Sequence, residues 1–407
     1  MKAPKLTVFA ALLLAVAGAA VLPAAADPTP ERPAGPEAGP APLYRTQGTA
    51  VPGHYIVRLR QGASARTLTL QLGVTPDAVY SHALIGFAAT LTPEQLANVR
   101  RSPEVEAVEE DAVFTASDRS SAGRVPAASW GLDRIGRRKL PLDGQFHVTG
   151  TGQGVTAFIV DTGIDYANSE FGGRARPGVD LVDPGGDGRD CATGTGHGTH
   201  VAGIVGGATY GVARKVSLVS VRVLDCSGAT STARLDQGLD WVADNFTAPA
   251  VLNASLNGPA SAATNTAIDN LADRGVVPVV SAGNAAPGQP PTDACQNSPG
   301  SARQAVVVGA TNNQDQMTDF SNRGSCVRLL APGQDIVSTK PGGGPATKSG
   351  TSQAAPHVTG VAALYRAKNP SATSAAVAGW LDGQSTQRVL TKVAPGTPNK
   401  LLYTGGL

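Results

Sequence analysis

The sequence is poor in charge and close to neutral. Only 16% of its 407 residues are charged, and the formal net charge is +2. So small a surplus gives no field that would attract nucleic acid, and no nucleic-acid partner is expected. The low charge also excludes a disordered polyelectrolyte, while a hydrophobic content of 41% is enough for a globular core.

Long apolar runs are equally scarce, and the one that is present stands at the amino terminus. Lys2 and Lys5 precede an apolar run at 6–22, and three alanines at 24–26 offer small residues to signal peptidase. The alternative is a membrane anchor, against which the alanine-rich end of the run and the lack of a second span both argue. Residues 1–26 are therefore predicted to be a signal peptide. We expect a secreted, extracellular protein with no membrane association after signal cleavage.

Cysteines are few. Cys191, Cys226, Cys295 and Cys326 contain no Cys-x-x-Cys pair, which argues against a zinc cluster. In an exported chain they favour disulfide bonds, for which three pairings exist.

Composition divides the rest of the chain into three parts. Residues 27–50 are rich in Pro, Ala and Gly, which predicts a linker without a fold of its own. Residues 51–117 are predicted to form a small ferredoxin-like α+β unit with the order β-α-β-β-α-β. Its second helix begins at Thr92, where Gln95 completes a capping box. Residues 118–407 form the third and largest part.

Continuous apolar runs mark the strands of this largest part. Runs without alternation are typical of strands buried on both faces, as in parallel sheets. Helical patterns lie between the runs, which predicts an α/β fold with a doubly wound, mainly parallel sheet. The predicted strands are 155–160, 216–224, 250–256, 276–280 and 305–308, and the predicted helices are 231–246, 262–274 and 352–368.

Three segments join a catalytic residue type to glycines at a strand or helix end. Asp161 lies in VDTGI, directly after a predicted strand, where the carboxyl ends of parallel strands open into a crevice. His197 lies in GHGTHVAG, and Ser352 lies in GTSQAAPHV at a predicted helix start, where amide N–H groups favour an oxyanion. Taken singly, each has a plainer interpretation as a turn aspartate, a structural histidine or a helix-capping serine.

Other histidines offer rival interpretations. His197 and His200 stand one helical turn apart, but a zinc peptidase motif needs two histidines at i, i+4 with a glutamate between them. Neither condition is met here. His357 is expected to be a structural histidine of the helix that follows Ser352.

The order Asp, His, Ser along the chain is that of subtilisin, and residues 130–405 resemble the subtilases of the proteinase K and aqualysin branch. Segment 51–117 resembles the inhibitor-type propeptide of that family. The resemblance implies a subtilisin-like serine endopeptidase made as a self-processing zymogen, with 118–407 as the peptidase domain. The propeptide would act as intramolecular chaperone and inhibitor, with cleavage between about Phe114 and Arg124.

The resemblance also implies roles for single residues. Asp161, His197 and Ser352 would form the catalytic triad, acting through an acyl-enzyme on polypeptide substrates. Asn284, in SAGN, would donate to the oxyanion, and its plainer interpretation is a turn asparagine. The substrate would add as a strand in a cleft lined by Gly228, Ser255, Leu256, Asn257 and Gly258. The disulfide pairs of aqualysin correspond to Cys191–Cys226 and Cys295–Cys326.

The chain also departs from the family. Gln353 replaces the methionine that usually follows the nucleophile, and Asn257 replaces a glycine. No cofactor is expected for catalysis and no metal residue is assigned. Arg328 and Arg138 stand where relatives have calcium ligands. The acidic loop with Asp183, Asp187 and Asp190 leaves two alternatives open, a structural calcium site or a solvated loop.

Two further classes remain to be separated by experiment. A serine esterase would share the nucleophile and base, but its Gly-x-Ser-x-Gly signature is absent around Ser352. A binding protein on the same fold would be expected to have lost a triad residue, and none is lost. No feature of the sequence indicates an oligomer, so a monomer is expected.

Overall fold

The computed structural model describes residues 39–120, 129–286 and 288–407, with only the backbone at 119 and 120. The predicted signal peptide at 1–26 and the first part of the predicted linker, 27–38, lie outside the described residues.

The amino-terminal segment, as far as residue 117, is a sheet covered by two helices. From β2 onward its order is β-α-β-β-α-β, as predicted. Ser64 caps the first helix, and Thr92 forms the predicted capping box with Gln95. Its elements are β1 (Leu43–Tyr44), β2 (Ala50–Leu59), α1 (Ala65–Leu72), β3 (Ala78–Tyr80), β4 (Gly86–Thr90), α2 (Pro93–Arg101) and β5 (Val105–Ala116).

Part of the predicted linker has structure, which corrects the expectation for 27–50. Strand β1 pairs in parallel with β5, Leu43 opposite Val108, and β2 already begins at Ala50. The Ala41 N–H donates to the carbonyl of Arg100 at 2.7 Å. Composition overlooked this contact because the partners of the segment lie far along the chain.

Residues 129–407, together with β6, supply the remaining elements. The strands are β6 (Arg119–Ser120), β7 (Thr156–Asp161), β8 (Ala175–Asp180), β9 (Ser217–Arg222), β10 (Ala229–Ser231), β11 (Ala250–Ala254), β12 (Leu256–Pro259), β13 (Val276–Ser281), β14 (Asn297–Ser298), β15 (Val306–Thr311), β16 (Leu329–Pro332), β17 (Ile336–Thr339), β18 (Pro345–Ser349), β19 (Thr386–Gln387) and β20 (Lys400–Leu401). The helices are α3 (Trp130–Ile135), α4 (His197–Gly206), α5 (Thr232–Asn245), α6 (Ala262–Asp273), α7 (Thr351–Lys368) and α8 (Ser374–Gln384), with a short 3-10 turn at Ala294–Gln296.

The central sheet has nine strands in the order β19-β20-β16-β15-β13-β11-β7-β9-β8. All neighbours are parallel except β19 and β20. Alternate residues of β7 enter two different cores. Ala157 and Ile159 pack with α4 and α7, whereas Phe158 and Val160 pack with α5 and α6. Helices on both faces of a mainly parallel sheet confirm the predicted doubly wound fold.

One predicted strand is divided in two. The run 250–256 stays in the central sheet only as far as Ala254, and after Ser255 the chain leaves it as β12. There β12 pairs antiparallel with β5 of the amino-terminal segment and with β14. A continuous apolar run cannot reveal such a change of sheet, because both halves are buried.

The structure forms two disulfide bonds, which leave no free cysteine. Cys191 is bonded to Cys226 and Cys295 to Cys326, with Cα–Cα distances of 5.7 and 5.3 Å. Among the described residues, no helix combines the length and apolarity needed to cross a bilayer.

Candidate active site

Asp161 and His197 are joined at the carboxyl edge of the central sheet. Asp161 ends β7, His197 begins α4, and Asp161 Oδ1 lies 2.7 Å from His197 Nδ1 with both side chains fully buried. The Thr162 N–H donates to the same carboxylate oxygen and fixes its orientation. Gly198 permits this contact, since a Cβ there would lie 2.2 Å from the carbonyl oxygen of Gly163.

The environment of His197 favours its protonated form. Burial alone would lower the pKa of the imidazole, but the charge of Asp161 and its hydrogen bond outweigh burial, and the net result is a raised pKa. Asp118 raises this pKa further, and Lys348 opposes it. A carboxylate at Nδ1 with a raised ring pKa is the arrangement that a general base needs in order to hold a proton transiently.

His200 and His357 stand apart from this pair. His200 Nε2 contacts the carbonyl oxygen of Ala346 at 3.2 Å, so its ring supports β18 rather than sharing a metal with His197. Burial lowers the pKa of His357 to about 4, and its Nδ1 contacts the carbonyl of Gln353. His357 is therefore a structural histidine of helix α7, as expected.

Ser352 lies in the first turn of α7, fully buried. Its hydroxyl donates to the carbonyl oxygen of Ser255 at 2.9 Å. In the described part of the chain, His197 Nε2 has no hydrogen-bond partner. The structure thus joins the aspartate to the histidine but does not form the hydrogen bond between the serine and the ring that the predicted triad requires.

The carbonyl oxygen of Ser117 accepts two hydrogen bonds at this place. Asn284 Nδ2 donates to it at 2.7 Å and the Ser352 N–H at 3.2 Å. The backbone N–H and hydroxyl of Thr351 both bind Asn284 Oδ1, at 3.0 and 3.1 Å. Because the oxygen of the amide is held in this way, its N–H₂ group must face Ser117. Two convergent donors at one carbonyl oxygen have the geometry of an oxyanion hole.

Residues 113–120, here called the cleft segment, occupy the groove that leads to this point. Residues 113–116 are the end of β5 and run between β10 and β12, antiparallel to both. The Ala116 N–H donates to the Gly228 carbonyl at 2.8 Å, and the Ser117 N–H donates to the Ser255 carbonyl at 3.1 Å. Beyond Asp118, β6 pairs antiparallel with β18.

All five residues predicted for the substrate cleft contact this segment. Gly228 and Ser255 supply the two carbonyl groups named above, while Leu256 and Asn257 lie opposite Ala116 and Thr115. Gly258 lies against the buried ring of Phe114, where a Cβ would approach to 2.4 Å.

Sequence reasoning missed three contributors. The first two are Lys348 and Asp118, which form an ion pair. They are separated by 230 residues in the chain, so no local pattern could reveal the pair. The third is the structural role of Asp190, which the sequence places only in an acidic loop. Its buried carboxylate accepts hydrogen bonds from the hydroxyls of Thr162 and Thr199 at 2.8 and 2.6 Å. It therefore ties the turn after Asp161 to helix α4.

The acidic loop does not gather its carboxylates. Asp190 points inward as just described, while Asp187 pairs with Arg189 in solvent. The main-chain carbonyl of Asp183 accepts a hydrogen bond from the Gly186 N–H and closes a tight turn. In the ranges that the structure describes, no three His, Cys, Asp or Glu side chains are grouped to hold a metal ion.

Comparison with known proteins agrees with this geometry. The profile described as "Subtilase family" matches residues 152–401, and the profile described as "Peptidase inhibitor I9" matches residues 73–117. The chain belongs to the subtilase family. It is a secreted subtilisin-like serine proteinase that includes an I9 propeptide. Subtilases need no cofactor for catalysis.

Relatives resemble this subtilase over most of its length. It is 47% identical over 84% of its chain to an extracellular serine proteinase of Thermus sp. (strain Rt41A), covering 81% of that protein. It is 44% identical over 81% of its chain to alkaline serine exoprotease A of Vibrio alginolyticus, of which it covers 60%. A crystal structure of a cold adapted subtilisin-like serine proteinase matches with a TM-score of 0.65 and 45% identity, covering 69% of this chain and 99% of the other.

Proposed function

We propose that this subtilase is an endopeptidase whose triad is Asp161, His197 and Ser352, and that its first substrate is its own Ser117–Asp118 bond. The observation that supports this most is the Ser117 carbonyl oxygen, which accepts from both Asn284 and the Ser352 backbone. A substrate carbonyl placed between two such donors is where negative charge would develop on attack.

The reaction begins with a movement of one hydroxyl. Ser352 rotates about its Cα–Cβ bond, exchanges the Ser255 carbonyl for His197 Nε2, and transfers its proton to the ring as Oγ attacks the Ser117 carbonyl carbon. Asp161 stabilises the resulting imidazolium. Asn284 and the Ser352 N–H stabilise the oxyanion.

Collapse of the tetrahedral intermediate divides the chain. The C–N bond between Ser117 and Asp118 breaks, and His197 gives its proton to the departing nitrogen of Asp118. The carbonyl carbon of Ser117 stays bound to Ser352 as an ester. Water, deprotonated by His197, then hydrolyses this ester and restores the serine hydroxyl.

The same groove explains how the propeptide would inhibit. After cleavage, residues 113–117 still pair with β10 and β12, and the sheet of the amino-terminal segment remains attached through β5. Until it dissociates, no other chain can add as a strand there. We propose that I9 segment 51–117 is both the template for folding and the inhibitor, and that 118–407 is the mature monomer.

Casein hydrolysis tests the proposed activity. We expect the mature protein to degrade casein, to be inhibited by a serine-directed phosphonylating agent and to be insensitive to a chelator. Peptide mapping should find the label on Ser352. Ser352→Ala should be inactive and remain an uncut precursor, while Ser374→Ala, another buried serine in the first turn of a helix, should remain active.

Other outcomes would identify the rival classes. Hydrolysis of small esters without hydrolysis of casein would point to an esterase, and no hydrolysis of either would point to a binding protein. Casein hydrolysis by Ser352→Ala would exclude the proposed nucleophile.

A further inference from the structure

An ion pair lies directly beyond the proposed cleavage point. Lys348 Nζ is 2.5 Å from Asp118 Oδ2, and the two side chains are only 16% and 17% exposed. Asp118 is the first residue on the leaving side of the bond. A charge pair that is mostly withdrawn from water is stronger and less screened than one on an open surface.

Backbone pairing determines which residue of a bound chain meets this lysine. Lys348 lies on β18 opposite Ser120 of β6. On one face of an antiparallel pair, a long side chain reaches the diagonal neighbour two residues away, which here is Asp118. The contact is thus set by the register of a strand, and any chain bound in the same register would place its corresponding residue there.

Lys348 has no other acidic partner in the part of the chain that the structure describes. Two other titratable groups lie within reach of its charge, since Lys348 lowers the pKa of both His197 and His200. Burial holds the pKa of His200 well below its usual value and keeps it neutral, and Asp161 is engaged with His197. While a bound chain covers Lys348 as the cleft segment does, a mostly buried ammonium group without a counter-charge is unfavourable, so an acidic residue in this place stabilises the bound state.

We propose that Lys348 is a specificity-determining residue, which makes this proteinase favour an acidic residue immediately after the bond that it cleaves. The inference rests on the proposed endopeptidase function and on the Ser117–Asp118 assignment. It names a substrate class for the leaving side of the cleft, namely chains with Asp or Glu immediately after the cleaved bond.

Three peptides with the sequence of residues 113–120 provide the test. They have aspartate, asparagine or lysine at the place of Asp118, and asparagine matches aspartate in shape without its charge. We would measure kcat/KM of the mature protein for each. We expect the aspartate peptide to be preferred over asparagine by roughly fivefold or more, and over lysine by more than that. The preference should fall moderately as salt is added, because the pair is mostly but not wholly withdrawn from water.

Substitution of the lysine completes a double-mutant cycle. Lys348→Met should bring the aspartate-to-asparagine ratio close to one, and Lys348→Glu should favour the lysine peptide. Intrinsic differences between the peptides cancel because only ratios are compared between variants. Lys215→Met is the matched control, since Lys215 is exposed and precedes β9 at the opposite end of the sheet. It should keep the ratio of the unsubstituted protein.

The outcomes separate the two claims. Equal kcat/KM for the aspartate and asparagine peptides in the unsubstituted protein would overturn the specificity inference and leave the peptidase intact. Failure to cleave any of the peptides, together with inactivity on casein, would overturn the proposed function itself. If Lys348→Met does not fold, the ratio of the unsubstituted protein and its dependence on salt decide the matter.

The intact precursor offers an independent readout. Asp118→Asn should slow self-cleavage of the full chain by a factor similar to the peptide ratio. Unchanged processing in Asp118→Asn would contradict the inference.

Discussion

The two sides of the Ser117–Asp118 bond are held in different ways. Before the bond, residues 113–117 run between two strands, β10 and β12, and are bound by main-chain groups on both sides. After the bond, residues 119–120 pair with the single strand β18, and one ion pair, Lys348 to Asp118, adds to the pairing.

From this difference we expect the groove to tolerate many residues before the bond and to select among residues after it. Main-chain hydrogen bonds are available to almost every residue type. Before the bond, the groove therefore discriminates mainly through the shape of the bound side chains. The side after the bond has less main-chain pairing, and a single charge has correspondingly more influence on which chains are bound.

The largest effect should come from the point where the two sides meet. Asn284→Ala removes the 2.7 Å donor from the Ser117 carbonyl. We expect kcat to fall about 10²–10³-fold with little change in KM, the range known from subtilisin, a member of the same family. Steady-state kinetics on one peptide measure it.

The matched control is Asn369→Ala, at the far end of α7, which should leave kcat unchanged. An Asn284→Ala protein with full kcat would show that the hydrogen bond to Ser117 has no part in the reaction.

A smaller effect is expected for the pocket that holds Phe114. Replacing this buried ring by alanine in a peptide substrate should lower kcat/KM about 10–100-fold, the contribution of burying one aromatic side chain. Gly258→Ala should reduce the preference for phenylalanine, because its Cβ would stand 2.4 Å from the ring. Equal kcat/KM for the phenylalanine and alanine peptides would mean that the groove does not discriminate by side-chain shape before the bond.

A still smaller effect is expected on the pH dependence of kcat/KM. The positive charge of Lys348 opposes the protonated form of His197, so Lys348→Met should raise the pKa of the imidazole further. The reaction needs the neutral base, hence the acidic limb of the kcat/KM profile on a neutral peptide should move to higher pH. A shift to lower pH would contradict the placement of the lysine beside His197.

The smallest expected effect is none at all. Gln353 follows the nucleophile and is fully buried. Because glutamine has no thioether, peroxide finds no sulfur to oxidise at this position. Activity should survive mild peroxide, whereas Gln353→Met should lose it as the sulfur is oxidised. Residual activity against peroxide concentration measures both, and rapid inactivation of the unsubstituted protein would refute the expectation.

Local patterns in the sequence predicted much of the fold. The capping box at Thr92 and the apolar strands of the central sheet depend on neighbours within a few residues, and the structure has them where they were expected. The departure of β12 from the sheet was not predictable, because it depends on β5, which lies far away in the chain. For the same reason, composition missed the pairing of β1.

The candidate site divides in the same way. Glycine-rich motifs drew attention to Asp161, His197 and Ser352 because each has a recognisable neighbourhood in the sequence. Lys348 and Asp118 have none, and only the folded chain brings them together. The direction of the Ser352 hydroxyl was equally beyond sequence reasoning, since it depends on a competing acceptor, the carbonyl of Ser255.

The mass and amino-terminal sequence of the secreted product test the central claim most directly. If the cleft segment lies in the groove as the first substrate, the product begins at Asp118 and the released fragment ends at Ser117. The Ser352→Ala protein, purified without other proteases, should show neither. A mature terminus elsewhere, or a terminus at Asp118 in Ser352→Ala, would contradict the account.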